Sequence, residues 1–296
     1  MAVARLVGSG KWTFEPVPDW GRSATRAAFG VVSGVACDRN DQVYVFQRTV
    51  EPSVLVFDRE GNRLRQWGLG EFRHPHGIWI GPERAGAATE VVLVTDRDLH
   101  QVIKYSLTGE RLAAWGDVRA PGDAGQPFNQ PARATLAPNG EMFVADGYGQ
   151  YRVHRFSADG ALLRSWGRKG TGPGEFGWPV HHAILDPRGR VLVLDRGNNR
   201  IQHFSIDGEY LGEWGGFRSP QDLCITPDGE LFLAEGAGPA ITVLNLDGEA
   251  LCRWGERGSE PGQFSDSPHS LWVDSRGDLY VGEVISPNRF QKFVRR

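Results

Sequence analysis

The sequence predicts an all-β chain of six repeated units closed into a six-bladed β-propeller. Three observations carry that expectation: a Trp-Gly pair that recurs six times, a four-strand pattern between the pairs, and a last unit short of one strand while the N-terminus holds a spare one. The pairs are Trp20-Gly21, Trp67-Gly68, Trp115-Gly116, Trp166-Gly167, Trp214-Gly215 and Trp254-Gly255, separated by 47, 48, 51, 48 and 40 residues. Self-similarity at such a period marks a repeat architecture, and six units account for residues 1–296 as one domain.

The strands follow from alternation and turn residues. In the unit between Ile184 and Gly215 the first strand runs to Asp186 and a turn at Pro187-Arg188-Gly189 leads to the second, Val191 to Leu194. Asn198-Asn199 turns into the third, Ile201 to Ser205, and Asp207-Gly208 leads to a fourth that ends at Trp214. Four-stranded units repeated radially leave only short, protected edges. The sixth unit stops after its third strand, Phe290 to Val294, whereas Lys11 to Gly21 reads as an outer strand ending in Trp-Gly. The first residues are therefore expected to complete the last blade.

Composition agrees with a folded β protein: 40% hydrophobic residues, 39 glycines, 18 prolines and 10 tryptophans suit short strands joined by tight turns. The net charge of -3, from 33 Lys+Arg against 36 Asp+Glu, gives no basic field for a phosphate backbone, so nucleic acid is not an expected partner. No segment approaches the roughly 20 apolar residues that span a bilayer, and MAVARLVGSGKWTFEP lacks the apolar run of a secretion signal, so the expectation is a cytoplasmic protein without a membrane partner. Cys37, Cys224 and Cys252 are odd in number and lack C-x-x-C spacing, which suits buried free thiols.

Chemistry enters through one slot of the inner strands. Stepping back five residues from the residue that opens each first turn gives Ser33, His76, Ala132, His181, Gln221 and His269. Histidine falls in blades two, four and six, about 120° apart in a six-fold ring. Three imidazoles converging at one depth predict a divalent metal site, zinc first and iron as the alternative, with a fourth position left for water or substrate. Because His182 adjoins His181, a one-residue slip would reverse which of the two faces inward. His74, His100, His154 and His203 fall outside the slot and are expected to be structural or surface residues.

The second strand of each blade returns to the mouth where the first began. The slot after it reads Arg48, Arg97, Gly147-Tyr148, Arg196, Gly236 and Val284. Three arginines and a tyrosine around a metal suit an anionic small-molecule substrate and a proton transfer. Asp96, Asp146 and Asp195, just before these residues, are expected to brace neighbouring blades rather than to bind metal.

The stretches HPHGIWI, VTDRDLHQVIKYS, VADGYGQYRVHRFS, LDRGNNRIQHFS and SPHSLWV resemble, in order, segments of the peptidyl-α-hydroxyglycine α-amidating lyase family, and the blades resemble NHL repeats. The resemblance implies a carbon–nitrogen lyase that cleaves a carbinolamide to an amide and an aldehyde such as glyoxylate. It implies His76, His181 and His269 as zinc ligands, Tyr148 as the base, and Arg48 and Arg196 as contacts to the substrate carboxylate and hydroxyl. Three residues depart from the family. Ser270 replaces an aspartate that helps hold a structural calcium, which argues against calcium here; Ser267 replaces a methionine; and Arg97 replaces a small apolar residue. A more cationic pocket points to a small acidic substrate, with Arg97 among its contacts. The alternatives are a lactonase-like hydrolase, whose calcium is held by carboxylates and asparagines rather than imidazoles, and a non-catalytic NHL interaction module.

Overall fold

A computed structural model describes residues 5–21, 29–265, 267–287 and 289–296; residues 1–4 of the opening segment lie outside the described residues. Its strands form six antiparallel sheets, the blades of a six-bladed β-propeller. The chain divides into two compact units, Gly68–Pro220 and Met1–Trp67 with Gln221–Arg296.

The unit Gly68–Pro220 contains blades two, three and four. Blade four shows how the sequence makes a blade. Its strands are Val180–Leu185, Val191–Asp195, Arg200–Phe204 and Tyr210–Trp214, within one residue of the boundaries expected from alternation. The first hairpin closes because Asp186 Oδ1 accepts the backbone N–H groups of Arg188 and Arg190, 2.9 and 2.8 Å away, while Gly189 takes the positive φ of 77° that the turn requires. The second strand is buried and, from Val191 to Leu194, apolar on both faces, as expected for sheets packed face to face, whereas the third buries Ile201 and Phe204 and carries Arg200, Gln202 and His203 beside them. Between blades three and four the core holds Phe143, Val153, Trp166, Phe176, Val191 and Phe204.

The other unit contains blades one, five and six. Blade six has the strands Pro268–Val273, Leu279–Glu283 and Phe290–Arg295, and the N-terminal strand Trp12–Val17 adds to it with Phe14 opposite Arg295 and Val17 opposite Lys292. A further short strand, Val7–Ser9, pairs outside Trp12–Val17 and makes this sheet five-stranded.

The expected outer strand, Lys11 to Gly21, is shortened at its end. Pro18 has no N–H to continue the ladder and Asp19 turns the chain at φ 54°, so the strand stops at Val17. Trp20 therefore lies beyond its strand, whereas the five other tryptophans of the Trp-Gly pairs end theirs. Its indole N–H donates to Arg59 O at 2.8 Å, and its ring packs on Phe57 of blade one and on Tyr280 and Phe290 of blade six. Phe14, fully buried, stacks 5.1 Å from Trp254 and meets Phe232 edge-on in blade five. The N-terminal segment thus ties blade six to both of its neighbours within this unit.

The three cysteines are free and buried, as expected, and burial pushes the Cys37 thiol well above its ordinary value. Phe14→Ala should cost about 3–5 kcal/mol by leaving a cavity between the N-terminal strand and blade five. Urea unfolding measures it, and a loss below about 1 kcal/mol would contradict the closing role of this strand.

Candidate metal centre

The inner strand of blade two begins at Pro75, where a missing N–H is tolerated. Pro75 pairs with Asp96 and Gly77 with Thr95, so two successive pairs on one strand skip a residue, and that residue is His76. The same slip occurs between Val180 and His182, leaving out His181, and between Pro268 and Ser270, leaving out His269. Blade one slips likewise at Ser33. Each slot histidine is thus the extra residue of a β-bulge, which bends the strand and re-aims a side chain that regular pleating would point elsewhere. His181 and His182 are separated in this way: His182 sits in the ladder opposite Leu194, and His181 is the bulged one.

The three imidazoles are buried; His76 and His181 lie in the unit Gly68–Pro220 with ring centroids 5.0 Å apart, and His269 lies in the other unit. Hydrogen bonds to carbonyl oxygens fix two of the rings. His76 Nδ1 is 2.8 Å from Ala132 O, and His269 Nδ1 is 2.8 Å from Ser33 O. A carbonyl can only accept, so each Nδ1 carries the proton and each Nε2 offers its lone pair; this is the support that metal-bound histidines ordinarily have. Ala132 and Ser33 are the slot residues of blades three and one, so a histidine in one blade is oriented by the slot of the next. Three buried imidazoles suit a divalent transition metal better than a hard cation such as calcium, which prefers oxygen.

Tyr148 and Arg196 meet the histidines within the unit Gly68–Pro220. The Tyr148 hydroxyl is 2.9 Å from His76 Nε2 and 3.2 Å from His181 Nε2, and it accepts from Arg196 Nη1 at 3.3 Å. Arg196 is held from its other side, with Nε donating to Ser219 Oγ at 3.1 Å. Arg97 lies over the Tyr148 ring, 5.3 Å from its centroid, and donates to Asp98 at 2.9 Å. Burial alone would raise the Asp98 carboxyl, but the Arg97 hydrogen bond and charge hold it below its ordinary value. Arg48 lies in the other unit, directly after the strand Val43–Gln47 and half-buried.

Backbone hydrogen bonds tie this second slot to the first in blades one, two and three. Arg48 N–H donates to Val31 O, Arg97 to His74 O and Tyr148 to Gln130 O, in each case two residues before the slot residue. Blade three has one residue more after its second strand, Gly147, and that insertion makes Tyr148 the equivalent of the arginines. A Cβ on Gly147 would lie 1.9 Å from Val180 O, so only glycine lets Tyr148 approach the strand that carries His181.

The aspartates do brace, but within their own blades rather than between neighbours. Asp96 accepts from the backbone N–H groups of Arg73, His74, Asp98 and Leu99. Asp146 accepts from Asn129 N–H, Gln150 and His154, and Asp195 from Gly177 N–H, Asn198, Arg200 and Gln202. Each carboxylate is buried where it pins the loop leading into a slot residue; burial even pushes Asp96 above its ordinary value despite its four donors. The remaining histidines are structural. His74 faces Arg97 and Asp98, His100 Nδ1 accepts from Gln130 N–H, His154 bridges Asp146 and Ser165, and His203 packs on Trp214, with burial pushing its pKa down. Sequence reasoning missed Trp178, whose indole N–H donates to Tyr148 O at 2.9 Å; only its adjacency to the slot in sequence could have signalled it.

The fold and this cluster define a class: a six-bladed β-propeller with three buried histidines able to hold a metal. A family model described as a 6-bladed beta-propeller matches residues 133–235. Human (Homo sapiens) NHL repeat-containing protein 3 is 34% identical over 289 residues, covering 90% of this chain and 80% of that protein, and the chain belongs to this family of NHL-repeat proteins. Peptidyl-alpha-hydroxyglycine alpha-amidating lyase 1 of Drosophila melanogaster is 26% identical over 328 residues; the match covers 92% of this chain but only 58% of that protein. Among solved structures, a streptogramin B lyase has a TM-score of 0.67 at 14% identity, covering 97% of this chain and 100% of its own, a likeness of fold alone.

Gly147→Ala should cost at least about 2 kcal/mol, in the upper part of the range for overpacking, and should lower the affinity for added zinc. Gly215→Ala, where a Cβ meets nothing within 4 Å, should stay within about 0.5 kcal/mol. Thermal unfolding and zinc titration of the two variants check this, and equal effects would contradict the close approach at Gly147.

Proposed function

We propose that this protein is a metal-dependent lyase that cleaves the carbon–nitrogen bond of a small, acidic, α-hydroxylated amide. The observation that carries the reading is the contact of a tyrosine hydroxyl with two of three buried slot histidines, with a guanidinium on the same oxygen. The similarity to an amidating lyase supports it.

His76, His181 and His269 would hold the metal, zinc first and iron as the alternative. Bound there, a dication polarises a substrate hydroxyl as a Lewis acid. Tyr148 acts as the base. It takes the hydroxyl proton, the oxygen–hydrogen electron pair closes the new carbonyl, and the carbon–nitrogen pair leaves with nitrogen. Nitrogen then receives that proton back from Tyr148, so the products are an amide and an aldehyde with no net change in charge. Arg196, on the Tyr148 oxygen, favours the phenolate during the transfer and contacts the substrate hydroxyl. Arg48 and Arg97 bind the substrate carboxylate, Arg97 being fixed for the task by Asp98.

The purified protein should contain one divalent transition-metal ion per chain by elemental analysis and should release glyoxylate from an N-acyl-2-hydroxyglycine. His76→Ala should lose both. Tyr148→Phe should keep the metal while kcat falls about 10²- to 10⁴-fold, the ordinary contribution of a proton-transferring side chain. Protein with no metal and no turnover would overturn the proposal; metal with turnover unaffected in Tyr148→Phe would remove the role of the base.

A further inference from the structure

Trp178 is 56% exposed, an unusual state for the largest apolar side chain, and yet it is not free to move. Its indole N–H is bonded to Tyr148 O, and its ring stands at 88° to the Tyr148 ring with centroids 5.5 Å apart. The backbone beneath it is equally fixed. Gly177 N–H donates to Asp195 at 2.8 Å, and a Cβ on Gly197 would lie 2.3 Å from Trp178 N, so the two loop segments are in direct contact. A large flat ring held rigidly at the surface loses little conformational freedom when something binds to it, which is the property of an interaction hot spot.

The place of the ring says what it meets. Trp178 lies one tyrosine ring away from a hydroxyl that touches His76 and His181, and Arg97 lies over that same ring. A small substrate whose acid end is held by guanidinium groups would lay its other end, the acyl group on nitrogen, toward Trp178. We propose that Trp178 is a specificity-determining residue that stacks a planar aromatic acyl group, so that the substrates are aroyl amides of small hydroxylated acids. This rests on the lyase reading for the identity of the acid end; the stacking itself does not require turnover.

The test compares two ligands of similar size that lack only the hydroxyl of the substrate, N-benzoylglycine and N-cyclohexanecarbonylglycine, one flat and one not. Isothermal titration of the purified protein should show a three- to tenfold preference for the flat ligand, the range that aromatic pairing confers. In Trp178→Ala the ratio should fall to about one, and Trp178→Phe should keep most of it. Binding of neither ligand, a wild-type ratio of one, or a ratio unchanged in Trp178→Ala would overturn the proposal. So would equal loss in Phe and Ala, because the indole N–H bond to Tyr148 would then be the whole role of the residue. Turnover of N-benzoyl-2-hydroxyglycine measured alongside separates the two claims. A Trp178-dependent ratio without turnover removes the lyase and keeps the platform, and turnover with a ratio indifferent to Trp178 does the reverse.

Discussion

Everything proposed for the centre depends on a one-residue slip at the start of the inner strands. In blades one, two, four and six the ladder passes over a single residue at the same place, and in three of these the residue is histidine. Regular pleating sends neighbouring side chains to opposite faces of a sheet and so into the packing between blades. A bulge releases one side chain from that alternation without breaking the strand. In blades two and four the backbone that it frees is then secured by a buried aspartate at the end of the second strand, which pins the loop entering the slot. Rigid elements on both sides of a bulge give a tightly held position, which a metal ligand requires and a surface loop seldom supplies.

The same arrangement divides labour among the charged residues. The carboxylates before the second slot are consumed by backbone N–H groups, whereas Arg97 and Arg196 reach past the strand ends to Tyr148. Cationic groups therefore face the tyrosine and anionic groups face the scaffold. The polarity of the centre follows from this sorting, and it is the reason an anionic substrate is proposed. A propeller scaffold by itself would not imply it, since the same fold carries many unrelated activities.

Much of this was legible in the sequence because repeats compare a chain with itself. The Trp-Gly pairs located the blades, the missing strand after Val294 pointed to the N-terminus, and alignment on the first turns found the histidine slot. What escaped was local backbone geometry. Alternation cannot decide between His181 and His182, because the bulge resets the count between them. Nor did the Trp-Gly pattern reveal that Trp20 leaves its strand early, which Pro18 and the turn at Asp19 impose. Asp96, Asp146 and Asp195 were readable as braces, but their partners are backbone groups of the same blade, and backbone donors carry no signature in a sequence. Trp178 was invisible for a related reason: its role comes from a carbonyl of Tyr148, thirty residues away.

The central claim is that the bulged histidines, and not their neighbours, grip a metal through Nε2. Anomalous diffraction from crystals of the purified protein, collected on both sides of the zinc and iron absorption edges, tests it most directly. The account predicts one strong peak bonded to Nε2 of His76, His181 and His269, with the edge identifying the metal. A peak held by His182 or by carboxylates, or no peak within reach of these three rings, would contradict it.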